Sequence, residues 1–214
     1  MTMTIRAWKM GGALVGVAAV ALAVTLPLPV SAAKVNEKAP DFSVTDSNGT
    51  THTLADFKGK WVVLEWHNQG CPYVKKHYNS GNMQKLQKEW TAKGVVWLTV
   101  ISSAPGQQGH VTPAQANAYV AEQQAAPTAV LLDPTGTMGM AYGAKTTPHM
   151  YVISPDGVLL YNGAIDDKPT ADLGDVPTAT NYLSAALHEA MAGKAVTTAA
   201  TKPYGCSVKY ASGS

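Results

Sequence analysis

Trp61-Val62-Val63-Leu64-Glu65-Trp66-His67-Asn68-Gln69-Gly70-Cys71-Pro72-Tyr73-Val74 is the stretch on which the fold turns. Residues 61–64 are a short apolar stretch, residues 67–70 read as a tight loop, and the segment after Cys71 can turn helical. The order is a buried strand, a loop, then a cysteine at a helix N-terminus with proline at the next position. The orphan N–H groups of a first helical turn and the helix dipole favour negative charge, so a thiol placed there is favoured as thiolate, its reactive form. That placement points to thiol chemistry. The competing reading is a buried, inert cysteine that only packs. The other cysteine, Cys206, stands near the far end of the chain.

Toward the N-terminus, Arg6 and Lys9 form a short basic region and residues 11–24 are an uninterrupted run of glycine and apolar residues. Pro27 and Pro29 break the run, and Val30-Ser31-Ala32-Ala33 offers small residues for cleavage. Residues 1–33 therefore read as a secretory signal peptide, cut after Ala32 or Ala33. The run is short of the ~20 residues that span a bilayer, so no membrane span is expected after cleavage. A periplasmic or secreted location follows, and with it an environment where disulfides persist. Removing the leader takes Arg6 and Lys9 and no acid, leaving fourteen lysines against fourteen acidic residues. With no net charge, no basic patch and few aromatics, nucleic acid is not an expected partner. Arg6 is the sole arginine of the sequence.

Beyond an extended segment at 34–40, residues 42–45 and 51–54 flank Ser47-Asn48-Gly49-Thr50, an Asn-Gly hairpin signal. Residues 55–59 read as one helical turn and residues 61–66 as a central strand. A helix after Cys71, interrupted near Asn79-Ser80-Gly81, resumes over 83–93 and stops at Gly94. Residues 95–101 are a continuous apolar run, the pattern of a buried parallel strand. Thr112 and Pro113 open a helix reaching about residue 124, as N-cap and first helical residue. A strand at 128–132 and a short helix ending at Tyr142 follow. Thr147-Pro148 precedes a strand at 149–154, which turns at Pro155-Asp156-Gly157 and returns over 158–162. A last helix starts at Thr180 or Asn181 and runs to about Met191. This order is an α/β one with a mixed sheet, in a single domain.

Several of these landmarks carry a resemblance: Ala39-Pro40-Asp41-Phe42, residues 66–77, Leu132-Asp133-Pro134-Thr135-Gly136, Thr147-Pro148-His149, residues 161–167, and the tail run Gly205-Cys206-Ser207-Val208-Lys209. With them the sequence resembles the thioredoxin superfamily, and within it the redoxin branch of alkyl hydroperoxide reductases and thiol-specific antioxidant proteins. It is similar to an exported peroxiredoxin-like group with a Cys-Pro-Tyr-Val motif and a Gly-Cys-Ser-Val-Lys tail. The resemblance implies a thioredoxin-like fold over 34–193, a central mixed sheet flanked by helices, with an N-terminal hairpin and a C-terminal tail at 194–214. It implies that Cys71 is the redox nucleophile and that the Thr147–Pro148 peptide is cis beside it. The Thr147 backbone would pair with an incoming substrate, Trp66 and Asn68 would line the site, and Pro148 would shape it.

The departures matter as much. The second cysteine of a Cys-x-x-Cys motif is replaced by Val74. Peroxidatic members of the branch carry a proline and a threonine where Leu64 and Asn68 stand, and an arginine that this chain lacks after its leader. Lys75, Lys76 and His77 read as a solvated basic helix face rather than a substitute, since an ammonium lacks the guanidinium fork. If Cys206 pairs with Cys71, the tail folds back over the site, and Cys206 resolves a mixed disulfide or sulfenic acid formed on Cys71. A permanent staple or two unpaired thiols are the alternatives.

A thiol-disulfide oxidoreductase is thus the expected activity, with no cofactor. Its partners would be a thiol or disulfide protein or a small-molecule thiol donor. A peroxiredoxin-like peroxidase acting on peroxide is one alternative. A copper or other metal-binding protein using Cys71, Cys206, His77 or His149 is another, although no ligand motif appears in the spacing. A binding protein that kept the fold without activity is a third.

Overall fold

Side chains alternate across a strand, so Val62, Leu64 and Trp66 must face one side of a sheet and Val63 and Glu65 the other. The computed structural model, which describes residues 1–4 and 32–211, builds its core on that alternation. The central strand, β3 (Val62–Trp66), follows a hairpin of β1 (Ser43–Thr45) and β2 (Thr51–Thr53) and a 3-10 turn at Leu54–Phe57. Next come α1 (Pro72–Asn79), α2 (Asn82–Ala92), β4 (Val96–Ile101), α3 (Pro113–Glu122), β5 (Ala129–Leu132) and α4 (Thr137–Tyr142). The chain closes with β6 (Thr146–Thr147), β7 (His149–Ile153), β8 (Leu159–Gly163), a 3-10 turn at Leu173–Thr178, α5 (Tyr182–Met191) and β9 (Cys206–Ser207).

The main sheet has the order β5-β4-β3-β7-β8. β3, β4 and β5 are parallel, while β7 pairs antiparallel with both β3 and β8. On one face Val62, Leu64 and Trp66 pack with Leu98, Leu131, Tyr151, the hairpin residue Val44 and Tyr142 of α4. On the other, Val63 packs with Trp97, Met150 and Val152 against Val74 and Tyr78 of α1, Trp90 of α2 and Leu187 of α5. Each fully buried apolar side chain of this size stabilises the fold by about 1.5–3 kcal/mol. This is a thioredoxin-like fold, with the hairpin and helix starts where the sequence places them. Thr112 and Gln115 form a capping box with Pro113 at the first helical position, and Asn181 caps α5. Gly81, at φ +74°, separates α1 from α2.

The signal-peptide reading falls largely on residues 5–31, outside the described residues. Among those described, no helix is long and apolar enough to cross a membrane. The turn at Leu173–Thr178 lies in a stretch that carries no periodic signal.

The segment after α5 is bound along its length. Asn162 donates its N–H to Ala199 O (3.1 Å) and accepts from Thr201 N–H (3.2 Å), which covers the β8 edge. β9 pairs antiparallel with β6, Cys206 opposite Thr147 and Ser207 opposite Thr146. Val208 N–H then donates to Lys145 O (3.0 Å), Ala104 N–H to Lys209 O (2.8 Å), and the Tyr210 hydroxyl to Ala144 O (2.8 Å). Gly205 lies at φ +134°, and a Cβ on it would run into the Thr147 carbonyl. Both the conformation and the approach require glycine. The substitution Gly205→Ala is expected to lift β9 from β6. Amide hydrogen exchange should then speed up at least tenfold at Val208 and leave β3, β4 and β7 unchanged; unchanged protection at Val208 would show that the close approach is not needed.

Candidate active site

The loop between β3 and α1 is set by Asn68. Its side-chain oxygen accepts from Gly70 N–H (2.9 Å), its carbonyl from Cys71 N–H (2.9 Å), and its amide nitrogen donates to the Gln108 side-chain oxygen (2.8 Å). Cys71 is thereby delivered as the N-cap of α1, with an extended backbone (φ −75°, ψ 125°) and Pro72 at the first helical position. It is 0 % exposed. Its sulfur lies 3.1 Å from the Thr147 carbonyl oxygen, which accepts from the S–H of the protonated form. The Thr147–Pro148 peptide is cis.

Burial is the largest single influence on Cys71 and works against the thiolate. The Cys206 thiol, the Thr147 hydroxyl and the backbone N–H groups of Val74 and Cys206 act the other way, and together they bring the Cys71 pKa below the ordinary thiol value. The buried Thr147 hydroxyl has no hydrogen-bond partner, which leaves it as a donor that a Cys71 thiolate would satisfy. Cys206 is pushed the opposite way, to about 11, by burial, by the bond it donates to Cys71 and by the Cys71 charge. Both cysteines are free thiols. One is prepared as the thiolate and the other as its proton-bearing neighbour.

A buried polar cluster holds the tail beside this pair. Tyr204, two positions before Cys206, donates its hydroxyl to Asp166. That hydroxyl also accepts from His77 Nε2–H (3.3 Å), the tautomer fixed by Asn82 donating to His77 Nδ1 (2.9 Å). Lys76 Nζ donates to Lys168 O (2.8 Å) and lies 3.8 Å from Asp166 Oδ2 and 5.6 Å from the centre of the Tyr204 ring. Lys76 and His77 are therefore buried, not a solvated face; only Lys75 of the three is exposed. Lys76 is committed to Asp166 and Lys168. Burial, with help from Lys76, lowers the His77 pKa to about 4 against the pull of Asp166.

Two other expectations change. Trp66 belongs to the core cluster on the opposite face of the sheet from Cys71, and its indole N–H donates to Ser102 Oγ (3.0 Å). Its side chain is buried there and supports the strand end. Thr147 does present its backbone beside the cysteine, but the partner is the chain's own Cys206. Asn68 is buried and spent on the loop, so it positions Cys71. Pro148 stands between β6 and β7 as expected.

Of the metal ligands named from the sequence, Cys71 and Cys206 come together, and no group of three or more His, Cys, Asp or Glu side chains that could hold a metal ion exists among the described residues. His149 Nε2–H donates to Asn162 (2.7 Å) and its Nδ1 accepts from Lys145 N–H (3.3 Å). Burial also lowers its pKa to about 4.

Glu65 is the residue that sequence reasoning passed over. Buried on the Cys71 side of β3, it accepts from Tyr78 (2.8 Å), Trp97 (2.8 Å), Gln87 (3.2 Å) and Thr99 (3.3 Å). A carboxylate inside a fully buried strand is itself the signal that could have found it.

The fold and the paired thiols define a thioredoxin-like protein with its second cysteine in the tail. The chain matches the AhpC/TSA family over residues 35–162, more than half its length, and belongs to that family. It is 29 % identical over 123 residues to the thioredoxin-like protein YneN of Bacillus subtilis, covering 58 % of this chain and 67 % of that one. Its structure resembles a hypothetical protein of Sinorhizobium meliloti (TM-score 0.71, 22 % identity, 86 % of this chain and 98 % of the other). It also resembles an uncharacterized conserved protein of Geobacillus kaustophilus (TM-score 0.66, 24 % identity, 85 % and 94 %). Family and fold together imply thiol oxidoreductase chemistry.

Two outcomes follow. Replacing Cys206 by alanine removes a donor to the thiolate, so Cys71 should titrate at higher pH, while serine, which keeps a donor, should shift it less. Thiolate ultraviolet absorbance against pH measures both. His77 and His149 stay neutral in the fold down to about pH 4 but protonate near 6.5 when unfolded. Between those values the unfolded state binds more protons, so stability present above pH 6.5 is lost as the pH falls toward 4. The loss is on the order of 3 kcal/mol for each histidine, measurable as the urea midpoint against pH.

Proposed function

We propose that this protein is an exported thiol-disulfide oxidoreductase that cycles between a Cys71/Cys206 dithiol and an intramolecular disulfide. The observation that carries this reading is that Cys206 pairs with Thr147, whose carbonyl oxygen lies 3.1 Å from the Cys71 sulfur, so both thiols meet at one residue; their pKa values are displaced in opposite directions. Cys71 thiolate attacks one sulfur of a substrate disulfide, forming a mixed disulfide and expelling the other sulfur as a thiolate. The Cys71 charge is then gone, so the main electrostatic obstacle to Cys206 ionising is removed. Cys206 thiolate attacks Cys71 Sγ, closes the protein disulfide and releases the second substrate thiol. Two electrons pass from the protein to the substrate, and an outside dithiol returns them. Export rests on the leader at 1–33.

Since Cys71 is buried, a substrate strand reaches it by taking the place of β9 along Thr147. β9 is two residues long, and short elements open locally at far less than the global unfolding cost. Peroxide is the less supported substrate, because Lys76 and His77 are engaged with Asp166 and Tyr204.

Non-reducing peptide mapping before and after one equivalent of diamide tests the cycle. A Cys71–Cys206 crosslink that a glutathione buffer opens reversibly is expected. Two thiols that stay unlinked after oxidant would sink the pair, and rapid single-turnover oxidation by hydrogen peroxide, absent with a disulfide substrate, would transfer the site to peroxide reduction.

A further inference from the structure

The tail meets the body through ties of two kinds, one on each side of Cys206. Upstream, Thr201 is held at β8, its N–H on the Asn162 carbonyl (3.2 Å) and its hydroxyl accepting from Ala164 N–H (2.8 Å). Tyr204 follows, with its hydroxyl donated to Asp166 and approached from the other side by His77 Nε2–H (3.3 Å). Its ring meets the edge of Tyr73, two positions after Cys71, with 5.8 Å between centres. Asp166, Lys76 and His77, the groups that receive Tyr204, are each at most 2 % exposed. Downstream the ties run to neutral carbonyls: Val208 N–H to Lys145 O, Ala104 N–H to Lys209 O and the Tyr210 hydroxyl to Ala144 O. Ser207 among them is exposed, and β9 is two residues long. A hydrogen bond to a charged group holds more firmly than one between neutral groups. Gly205, at φ +134°, separates the firm tie from the weaker ones, and glycine is where a chain turns most freely.

We infer that Tyr204 is a positioning residue: pinned on Asp166, it is the pivot that keeps Cys206 within reach of Cys71 while β9 gives way to a substrate. This rests on the two-cysteine cycle proposed above and adds the residue that governs its second step. In that step Cys71 carries the substrate sulfur as a mixed disulfide. Cys206 gives its proton to solvent, its thiolate bonds to Cys71 Sγ, and the electron pair of the broken bond leaves on the substrate thiolate. With β9 lifted, Cys206 hangs from the nearest tie that still holds. From Tyr204, two residues away, its Cα reaches about 7 Å; from Thr201, five residues away, it reaches about 18 Å. The shorter tether returns Cys206 to its place opposite Thr147, whose carbonyl oxygen is 3.1 Å from the Cys71 sulfur. Effective concentration falls as about the −3/2 power of tether length, so moving the tie back to Thr201 lowers it about fourfold. The buried ion pair acquires a purpose from this. Lys76, 3.8 Å from Asp166 and donating to the Lys168 carbonyl, supplies the charge that lets a buried carboxylate act as the acceptor for Tyr204.

The full chain, reduced, is mixed in stopped flow with less than one equivalent of dithiobis(nitrobenzoate), a disulfide whose thiolate product is coloured. Attack by Cys71 releases the first thiolate at a rate that rises with concentration; resolution by Cys206 releases the second at a rate that does not. Cys206→Ser isolates the first phase, and peptide mapping of its product places the retained group on Cys71. Tyr204→Phe keeps the ring against Tyr73 and deletes only the hydroxyl. It is expected to leave the first phase no slower and to slow the second about fourfold, the factor set by the longer tether. Tyr210→Phe, which loosens the tail beyond Gly205, is expected to leave the second phase unchanged. A residue that merely supported the fold would not separate the two phases in this way. An unchanged second phase in Tyr204→Phe, or equal slowing in Tyr210→Phe, overturns the pivot and leaves the two-cysteine cycle standing. Absence of a second phase in the unaltered protein overturns that cycle and the inference with it.

Discussion

The short edge at Lys145–Thr147 is the constraint on which the site depends. A strand edge leaves backbone N–H and C=O groups that must be paired or solvated, and an unpaired edge invites another chain. This protein fills it with its own C-terminal segment: Cys206 opposite Thr147, and Val208 donating to the Lys145 carbonyl. The pairing register is what brings the Cys206 thiol to Cys71. A slip of one residue would turn the Cys206 side chain to the other face. The glycine at 205 and the Tyr210 hydroxyl on Ala144 keep the register from slipping.

That arrangement asks the interior to hold unusual charge. Lys76 and Asp166 are both buried at a separation of 3.8 Å. Such a pair is weak evidence for stability, since desolvation offsets much of the attraction, but removing one partner strands the other. The Lys168 carbonyl on Lys76 and the Tyr204 hydroxyl on Asp166 complete their hydrogen bonding. Tyr204 gives this cluster its bearing on the thiols, because it joins the tail to the helix that begins at Cys71. Glu65 plays the matching part beneath the loop, tying β3 to α1, α2 and β4 through Tyr78, Gln87, Trp97 and Thr99. A buried network of this kind, with Glu65 accepting from four side chains, favours one geometry.

The chain belongs to the AhpC/TSA family and has a thioredoxin-like fold, with Cys71 between β3 and α1 as the N-cap of the helix. What distinguishes this chain is how the surroundings of that cysteine are made up. The donors to its thiolate come from α1, from β6 and from a tail more than a hundred residues away in sequence. No arginine stands among the described residues, and Lys76 of α1 is held in a buried pair with Asp166. In the cycle proposed above, hydrogen-bond donors and a neighbouring thiol take the part that a guanidinium would otherwise play.

Much of this was legible in the sequence. The apolar run ending at Trp66, the Asn-Gly hairpin, the Thr112-Pro113 helix start and the Gly81 break each carry local signals, because propensity, capping and side-chain period act over a few residues. Cys71 as N-cap of a helix is of the same kind. Which face of the sheet a residue takes relative to another element is not local. Trp66, close to Cys71 in sequence, lies across the sheet from it, and Lys76 and His77 are buried only because Asp166 and Tyr204 arrive from distant segments. By itself the sequence determined the order of strands and helices and placed Cys71 at a helix N-terminus. Only the tertiary structure decided that Thr147 is paired by Cys206 and that the second thiol stands ready beside the first, because that contact is closed by backbone pairing between segments sixty residues apart.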